Sequence, residues 1–535
     1  MKHFLGLLLA TLISSSSFGQ KIQHESEKFD VYFGPKQERE LRTSVSFFLG
    51  ADDEQFYTYF RKKQDVTYGK YSNELKKIKT NSIELPKEKV VRNTEFHIEL
   101  GEEIYELYSI SDKKAKSNKL YARTINKESL APNKDEKELF SLSGDLFYKN
   151  FAYAFTQGDV SPDGSKFLVA FKLPEEEDKY RRFRLMVFDR QFNLLWQTDR
   201  KFVIDKKLKF NFYGEGWFMT GSNDAFQLGN DGQILTWGIQ DKGKDFDKED
   251  RFETYVFKIT EKDMIHARVG FSEKKIMESM IRLNNDGKVM ISGFYNNNMK
   301  AKYDLIDGAF LSYWDIEKGE ATHVSYDEFS EEFKQSYWSD RKIAKYEKQE
   351  KKTKGKEKVG MSNYKLHRVI EKEDGGAILV GEVDYYYIVY TSKSSYTVYV
   401  NGNIIVINVD PNGEIAWSKK IPKSQSNRGN VGLGYELAWT KDRLYFLYND
   451  NFKNLEKGWD GSKVNTFKAG DNPVTMAICD IANDGEITRE QVWTTEKAGG
   501  MFQPGSKVDQ LFDDETIIYI QGGRGTQRMI RVEYK

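Results

Sequence analysis

Two clusters in this chain have residue types that could do chemistry or bind a partner. The first is basic: Arg341, Lys342, Lys345, Lys348, Lys351, Lys352, Lys354, Lys356 and Lys358, nine cations against Glu347, Glu350 and Glu357 in 18 residues. Clustered Lys raises local anion density, so this stretch is a candidate contact for lipopolysaccharide phosphates, an acidic glycan or an acidic protein surface. Only Tyr346 interrupts it, which gives no ladder of rings for base stacking and argues against nucleic acid. The alternative is a solvated insertion loop kept soluble by its charge. The second cluster is aromatic: Tyr385, Tyr386 and Tyr387, followed by Tyr390, Tyr396 and Tyr399. Such rings stack on sugar faces when exposed, or pack between sheets and across strands when buried.

The search for reaction machinery is largely negative. The chain holds no GxSxG, HExxH or CxxC, so neither a nucleophile elbow nor a local zinc signature is present. His24, His97, His266, His323 and His367 are all more than five residues apart, and each reads by itself as a structural or merely exposed histidine. Two acidic loops invite calcium. Asp480–Gln491 (DIANDGEITREQ) has Asp at its first and fifth places and Gly at its sixth, but Ala482 and Gln491 stand where oxygen ligands are needed. Residues 241–252 lack the central Gly and final Glu. Both read better as hairpin turns. We therefore expect no catalytic residue, no metal site and no cofactor.

The elements that must position these clusters are strands. The stretch from Val160 to Thr198 sets the pattern: a polar turn SPDG, an apolar strand FLVAF, a charged loop, a second strand RLMVFD, a tight turn and a third strand LLWQT. The same step from polar turn into strand recurs near Asp53, Glu102, Asp163, Asp231, Asp286, Asp374, Asp442 and Asp514, at separations of 49, 61, 68, 55, 88, 68 and 72 residues. A second turn follows near Asn73, Asn126, Gln191, Glu261, Glu317, Asn412 and Asp484. Repeats of this length built from strands predict an all-β fold, a β-propeller of eight (alternatively seven) four-stranded antiparallel blades. The last unit is one strand short, and KFDVYF at Lys28–Phe33 has no unit of its own, so the two should share a sheet. With 36 Phe, 31 Tyr and only nine Pro, the composition suits strands.

Units such as SPDGSKFLVAF resemble the repeats of TolB-type and prolyl-oligopeptidase-type propellers, and DGGAILVGEV resembles repeats of other secreted bacterial propellers. The resemblance is confined to single repeats of about ten residues and reaches about five of the eight units. It implies an exported interaction platform, with no room left for an oligopeptidase hydrolase domain.

Residues 1–19, with Lys2, an apolar run Phe4–Ile13 and small residues at Ser17 and Gly19, read as a signal peptide. Residues 20–535 then form one propeller domain, carrying a helical and Lys-rich insertion at about 326–360 in which Phe329, Phe333 and Tyr337 make a helical stripe. No Cys near the cleavage point means no lipid anchor, and no later apolar run is long enough to span a bilayer. The single Cys479 excludes an internal disulfide, and 82 basic residues balance 82 acidic ones, which removes any global pull toward nucleic acid. The expected protein is periplasmic, with cell surface or secretion as alternatives. It is expected to be a non-enzymatic binding or scaffolding protein that meets a protein or envelope-glycan partner through its loops. The competing classes are a carbohydrate-active hydrolase or lyase with a site at the central channel, and a lectin.

Overall fold

The structure is a computed structural model. It describes residues 22–535 except 39–43, 53, 63–64, 85–90, 148–154, 175–181, 204–208, 213–225, 242–251, 272, 284–287, 300–304, 339, 354–360, 393, 430, 457–463, 471–473, 499, 503, 505–508, 513–514 and 522–525. The leader and the loop at 242–251 therefore lie outside the described residues, as do Lys354, Lys356 and Lys358.

The local rule that builds the fold is alternation. In Lys166–Lys172, Phe167, Val169 and Phe171 join one apolar cluster, and Leu168 and Ala170 join another on the opposite face. All five are fully buried. A strand with both faces apolar must be covered twice. Around it the chain forms an antiparallel sheet in the order Phe155–Val160, Lys166–Lys172, Arg182–Asp189, Leu194–Lys201. Its first turn is closed by Gly164 N–H donating to the Ser161 carbonyl, with Gly164 at φ +62°, where a side chain would be strained.

This arrangement recurs along the chain. The described strands form eight sheets of four or more strands and one two-stranded pair, consistent with a propeller. Seven of these sheets are built from consecutive segments. In chain order, the first begins at Ser44–Ala51, the second at Val91–Leu100, the third at Phe155–Val160, the fourth at Lys209–Phe212, the fifth at Lys275–Leu283, the sixth at Tyr364–Glu371 and the seventh at Glu436–Trp439. The eighth sheet is shared by the two ends of the chain. Phe29–Phe33 pairs antiparallel with Thr526–Tyr534, as the orphan strand and the short last unit required. The described markers Glu102, Asp163, Asp231, Asp374 and Asp442 fall at the turn between the first and second strands of a sheet, and the second markers at the turn between the third and fourth.

Apolar clusters join each sheet to the next. Tyr57 and Tyr68 of the first meet Ile104 and Ile125 of the second, and Phe257 of the fourth meets Leu185 of the third. The shared sheet packs on both sides: Val31, Ile530 and Val532 against Leu447 and Ile478 of the seventh, and Met529 against Phe56 and Tyr71 of the first.

The insertion differs from expectation. The apolar stripe does not lie on one helix: the helix Glu331–Gln335 stops early, and Tyr337 follows it at φ +64°. Ser330 caps it, accepting from Phe333 N–H at 3.0 Å, while Phe329 is buried and stacks on Phe333 with centroids 4.8 Å apart. The basic half is not a loop through its described length. Asp340–Thr353 is a helix, favoured by helix-forming Lys, Glu, Gln and Ala.

Phe29 is fully buried and meets Tyr445 edge-on at 6.5 Å. Phe29→Ala should therefore cost about 3–5 kcal/mol. Ile22→Ala, at an exposed position seven residues earlier, should stay within about 0.5 kcal/mol. Thermal or urea unfolding of the two variants checks the difference, and equal effects would mean that the shared sheet does not carry the fold.

Candidate functional site

Sheet parity places both sequence-predicted clusters together. In an antiparallel sheet, connections after the second and fourth strands leave from the end opposite those after the first and third. The tyrosine cluster spans the second-to-third connection of the sixth sheet, and the insertion follows the fourth strand of the fifth. Both therefore emerge from the same face of the protein. On the helix Asp340–Thr353, Arg341, Lys345, Lys348 and Lys351 are exposed. Of the side chains of Lys342 and Lys352 nothing is described.

The tyrosines do not pack between sheets. The sixth sheet's second and third strands, Ala377–Tyr390 and Ser395–Val409, are 14 and 15 residues long and outrun their neighbours. Tyr364–Glu371 pairs only as far as Val383, and Ile415–Ile421 only from Ile404. The remainder is a two-stranded ribbon, braced on one edge by Gln425–Arg428. Tyr386, Ile388 and Tyr390 lie on one face, and Tyr385, Tyr387 and Val389 on the other. Exposure rises from 37% at Tyr385 to 64% at Tyr386 and 79% at Tyr390. Alternation would bury one of the two sets in a sheet; here no sheet of the described residues covers either face of Tyr385–Tyr390. Part-way along the ribbon, Tyr399 packs on Leu433 and Phe467, and nearer the tip the Arg428 guanidinium lies 3.8 Å from the Tyr396 ring centroid.

Where the ribbon leaves the sheet, the seam between the sixth and seventh sheets holds a buried polar network that sequence reading missed. Lys423 and Glu382 are buried and paired, Nζ to Oε1 at 2.5 Å. Asn401 Nδ2 donates to Glu382 Oε2 at 2.9 Å, and Lys423 Nζ donates to Gln425 Oε1 at 2.8 Å. Gln425 Nε2 then donates to the Asn449 carbonyl at 2.8 Å, tying the two sheets together. His367 occupies a β-bulge between Leu366 and Arg368, which re-aims its ring. Its Nδ1 is 3.6 Å from Glu382 and its Nε2 3.8 Å from Asp384, and the ring stacks on Tyr435 at 5.9 Å.

Burial dominates the electrostatics. Desolvation pushes the His367 imidazole down despite its two carboxylate neighbours, and pushes the Lys423 ammonium down as well. The Asp384 carboxyl is pushed up by desolvation first and by Glu382 second. Imidazole, carboxylate, amine and phenol are the types an acid–base centre needs. Yet His367 Nε2 and Tyr435 Oη, which have no hydrogen-bond partner among the described residues, are shielded from solvent. A substrate would have to open the seam to reach them. Separately visible residues carried a weak signal: Glu382 interrupts the otherwise apolar run Ala377–Val383, but nothing in the sequence pairs it with Lys423.

The calcium reading of Asp480–Gln491 is answered by geometry. Asp480 is buried and takes Lys28 Nζ at 3.1 Å and Arg443 Nη1 at 2.5 Å, while Asp484 accepts from Glu486 N–H as a turn residue. No cluster of three or more His, Cys, Asp or Glu side chains suited to a metal occurs among the described residues.

A second ionic cluster lies within the second sheet, on the side that meets Tyr59 of the first. Glu106 accepts from Arg123 at 2.6 and 2.8 Å, and both Arg92 and Arg123 lie over the Tyr108 ring. His97 is wedged beside Tyr59, with centroids 4.4 Å apart, and desolvation pushes its imidazole down to about 4.

The class defined so far is an all-β protein of consecutive antiparallel sheets with one polar, ribbon-bearing face. No family model matches the chain, and no curated protein is similar to it. Among solved structures it is similar to the uncharacterized protein lmo1340 of Listeria monocytogenes EGD-e, with 7% identity over 91% of this chain and 92% of that one (TM-score 0.35). It is also similar to an oligogalacturonate lyase in complex with manganese, with 10% identity, 91% and 98% covered and TM-score 0.34. A third is prolyl oligopeptidase B from Galerina marginata, with 9% identity, 94% of this chain but 55% of that one, and TM-score 0.37. These neighbours are β-propeller-like proteins. At such identity and overlap the likeness says nothing of activity.

Two outcomes test the seams. Glu382→Gln leaves the Lys423 ammonium buried without its counter-charge and should cost about 3–5 kcal/mol, whereas Glu382→Leu combined with Lys423→Met should recover most of the loss. Chemical denaturation of the three proteins checks this. The second outcome concerns pH. His97 stays neutral in the fold down to about 4, whereas an unfolded imidazole takes its proton near 6.5. The unfolded state thus binds more protons between those values, and stability falls as pH drops from about 6.5 toward 4, by at most about 3 kcal/mol. Unfolding free energies measured across that window should flatten in His97→Gln.

Proposed function

We propose that the chain is a non-enzymatic binding protein of the bacterial cell envelope, which meets a protein partner through the face carrying the tyrosine ribbon and the basic helix. The observation that carries this reading is the ribbon itself. Soluble chains rarely leave contiguous apolar surface uncovered, and Tyr is the residue most useful at an interface because one end is apolar and the other wet. Tyr385, Tyr386, Tyr387 and Tyr390 stand in a row with no cover among the described residues. The exposed cations of Asp340–Thr353 on the same face would speed encounter with an acidic partner without setting the affinity.

The scaffold behind that face is, in this reading, an eight-bladed propeller whose ring is closed by the sheet that both ends share. The two-sided packing of that sheet supports it. The leader-like pattern of residues 1–19 supports export, with the periplasm favoured in this reading. No helix among the described residues is long and apolar enough to cross a membrane. In the seam between the sixth and seventh sheets Glu382 and Lys423 are spent on one another and the His367 and Tyr435 polar atoms are shielded from solvent, which weighs against the enzymatic alternative.

The test is comparative capture from envelope extract. Wild-type protein should retain a specific protein that Tyr386→Ser/Tyr390→Ser loses at any salt. A variant with Lys345, Lys348 and Lys351 changed to Gln should still bind, with an association rate that no longer falls as salt rises. Unchanged capture by the tyrosine variant would sink the proposal, and retention of a glycan instead of a protein would move it to the lectin class.

A further inference from the structure

The tyrosine ribbon has an open edge as well as two open faces. Ser395–Val409 pairs with Ala377–Tyr390 on one side and with Gln425–Arg428 on the other, but no described strand adds to the outer side of residues 385–390. The hairpin turn fixes which groups point there. Thr391 N–H donates to the Ser394 carbonyl at 2.8 Å, so this pair is a hydrogen-bonded one. Hydrogen-bonded pairs alternate in an antiparallel ladder. With Val389 opposite Tyr396, Tyr387 opposite Val398 and Tyr385 opposite Val400, the odd positions bond inward. The main-chain N–H and C=O of Tyr386, Ile388 and Tyr390 therefore face outward. Asp384, of the same parity, confirms the sense: its N–H points out of the ribbon and donates to the Asn363 carbonyl at 2.9 Å.

We propose that this edge pairs with the same edge of a second copy of the chain, antiparallel about a two-fold axis through Ile388. The register follows from using every outward group. Ile388 faces Ile388 of the copy, and Tyr386 faces Tyr390 in both directions, which allows about six main-chain hydrogen bonds, two for each facing pair. The argument for a second copy rests on self-complementarity. A two-fold contact is made of one patch meeting itself, so it must carry no charge that would meet its own kind. From Tyr385 to Thr391 the edge has no charged residue and no Pro. The outermost strands of other sheets are guarded: Lys77–Glu84 carries Lys77, Lys79 and Glu84, and Ala131–Ser143 carries Lys134, Asp135, Glu136, Lys137 and Glu138. Charges of that kind are what keep exposed edges apart. Among these, the ribbon edge alone is unguarded, and pairing it would also set Tyr386, Ile388 and Tyr390 of both copies on one continuous face.

This inference rests on the ribbon being a protein-contact surface and adds what its edge does: the edge joins two copies, and the faces remain for the partner. Light scattering after gel filtration should give twice the chain mass for the wild type. Ile388→Pro removes one outward N–H, leaves the inward bonds untouched, and should give a monomer with an unchanged circular dichroism spectrum. Ile388→Cys should form an intermolecular disulfide under mild oxidation while Tyr386→Cys does not, because only residue 388 meets itself; the native Cys479 is buried and silent. A monomeric wild type, a dimer that survives Ile388→Pro, or equal cross-linking at 386 and 388 overturns the pairing. Capture of an envelope protein by a monomeric wild type, lost in Tyr386→Ser/Tyr390→Ser, would leave the binding reading intact while refuting this one. Loss of both would refute both.

Discussion

Two-sided burial of each sheet is the constraint from which the rest of the architecture follows. In Val289–Asn296 every residue is buried, with Met290 and Phe294 toward the sixth sheet and Val289, Ile291 and Tyr295 toward the fourth. A sheet with this pattern cannot be an outer layer, so each needs a neighbour on both sides. A linear stack would leave two terminal sheets half bare. The chain instead assigns Phe29–Phe33 and Thr526–Tyr534 to one sheet and packs it against the first and the seventh together. The few residues at the amino end thus complete a hydrophobic surface made some five hundred residues later, and stability depends on the meeting of the two ends more than on any local unit.

Much of this was legible in the sequence because turns are chemically specific. Asp-Gly and Asn-Gly steps accept positive φ, and Asp side chains bond their own loops: Asp410 accepts from Asn412 and Glu414 N–H, with Gly413 at φ +85°. Marking such turns located first-to-second and third-to-fourth connections in every sheet where they are described. The same method could not choose between the exposed and the packed reading of the tyrosines. Alternation through Tyr385–Tyr390 reads as a core strand only if a neighbouring strand runs alongside, and strand length relative to neighbours is not encoded in period-2 spacing. The insertion was expected to be helical and Lys-rich, but its basic half left a solvated loop as the alternative, since high charge density says little about whether Lys, Glu and Gln coil into a helix.

The ionic seams were illegible for a different reason: each depends on register. Glu382 and Lys423 are forty-one residues apart in sequence, and Glu106 and Arg123 meet only because residues 103–112 and 117–126 pair in one alignment. A one-residue slip would turn every such group to the other face. Ion pairs of this kind add little net stability over apolar packing, but an incorrect register would leave a charge buried alone, at a cost of several kcal/mol. The apolar residues would bury nearly as well in several registers; the seams penalise all but one.

The ribbon departs from both rules, since Tyr385–Tyr390 have neither two-sided burial nor a buried ion pair among the described residues to fix them. Tyr399 on Leu433 and Phe467 and Arg428 over Tyr396 secure the ribbon's second strand, while Tyr386 and Tyr390 of the first stay 64% and 79% exposed. A segment serving only the fold would end at Val383, where its first neighbour ends. The seven extra pairs, Asp384–Tyr390 with Ser395–Asn401, order fourteen side chains and backbones at an entropic cost of about 1–2 kcal/mol apiece, with little core in return. Strand pairing and cross-strand contacts such as Tyr386 on Tyr399, 6.0 Å apart, offset part of that cost. What remains is apolar surface held outward where no sheet of the described residues covers the alternating pattern, an arrangement that a folding core does not call for.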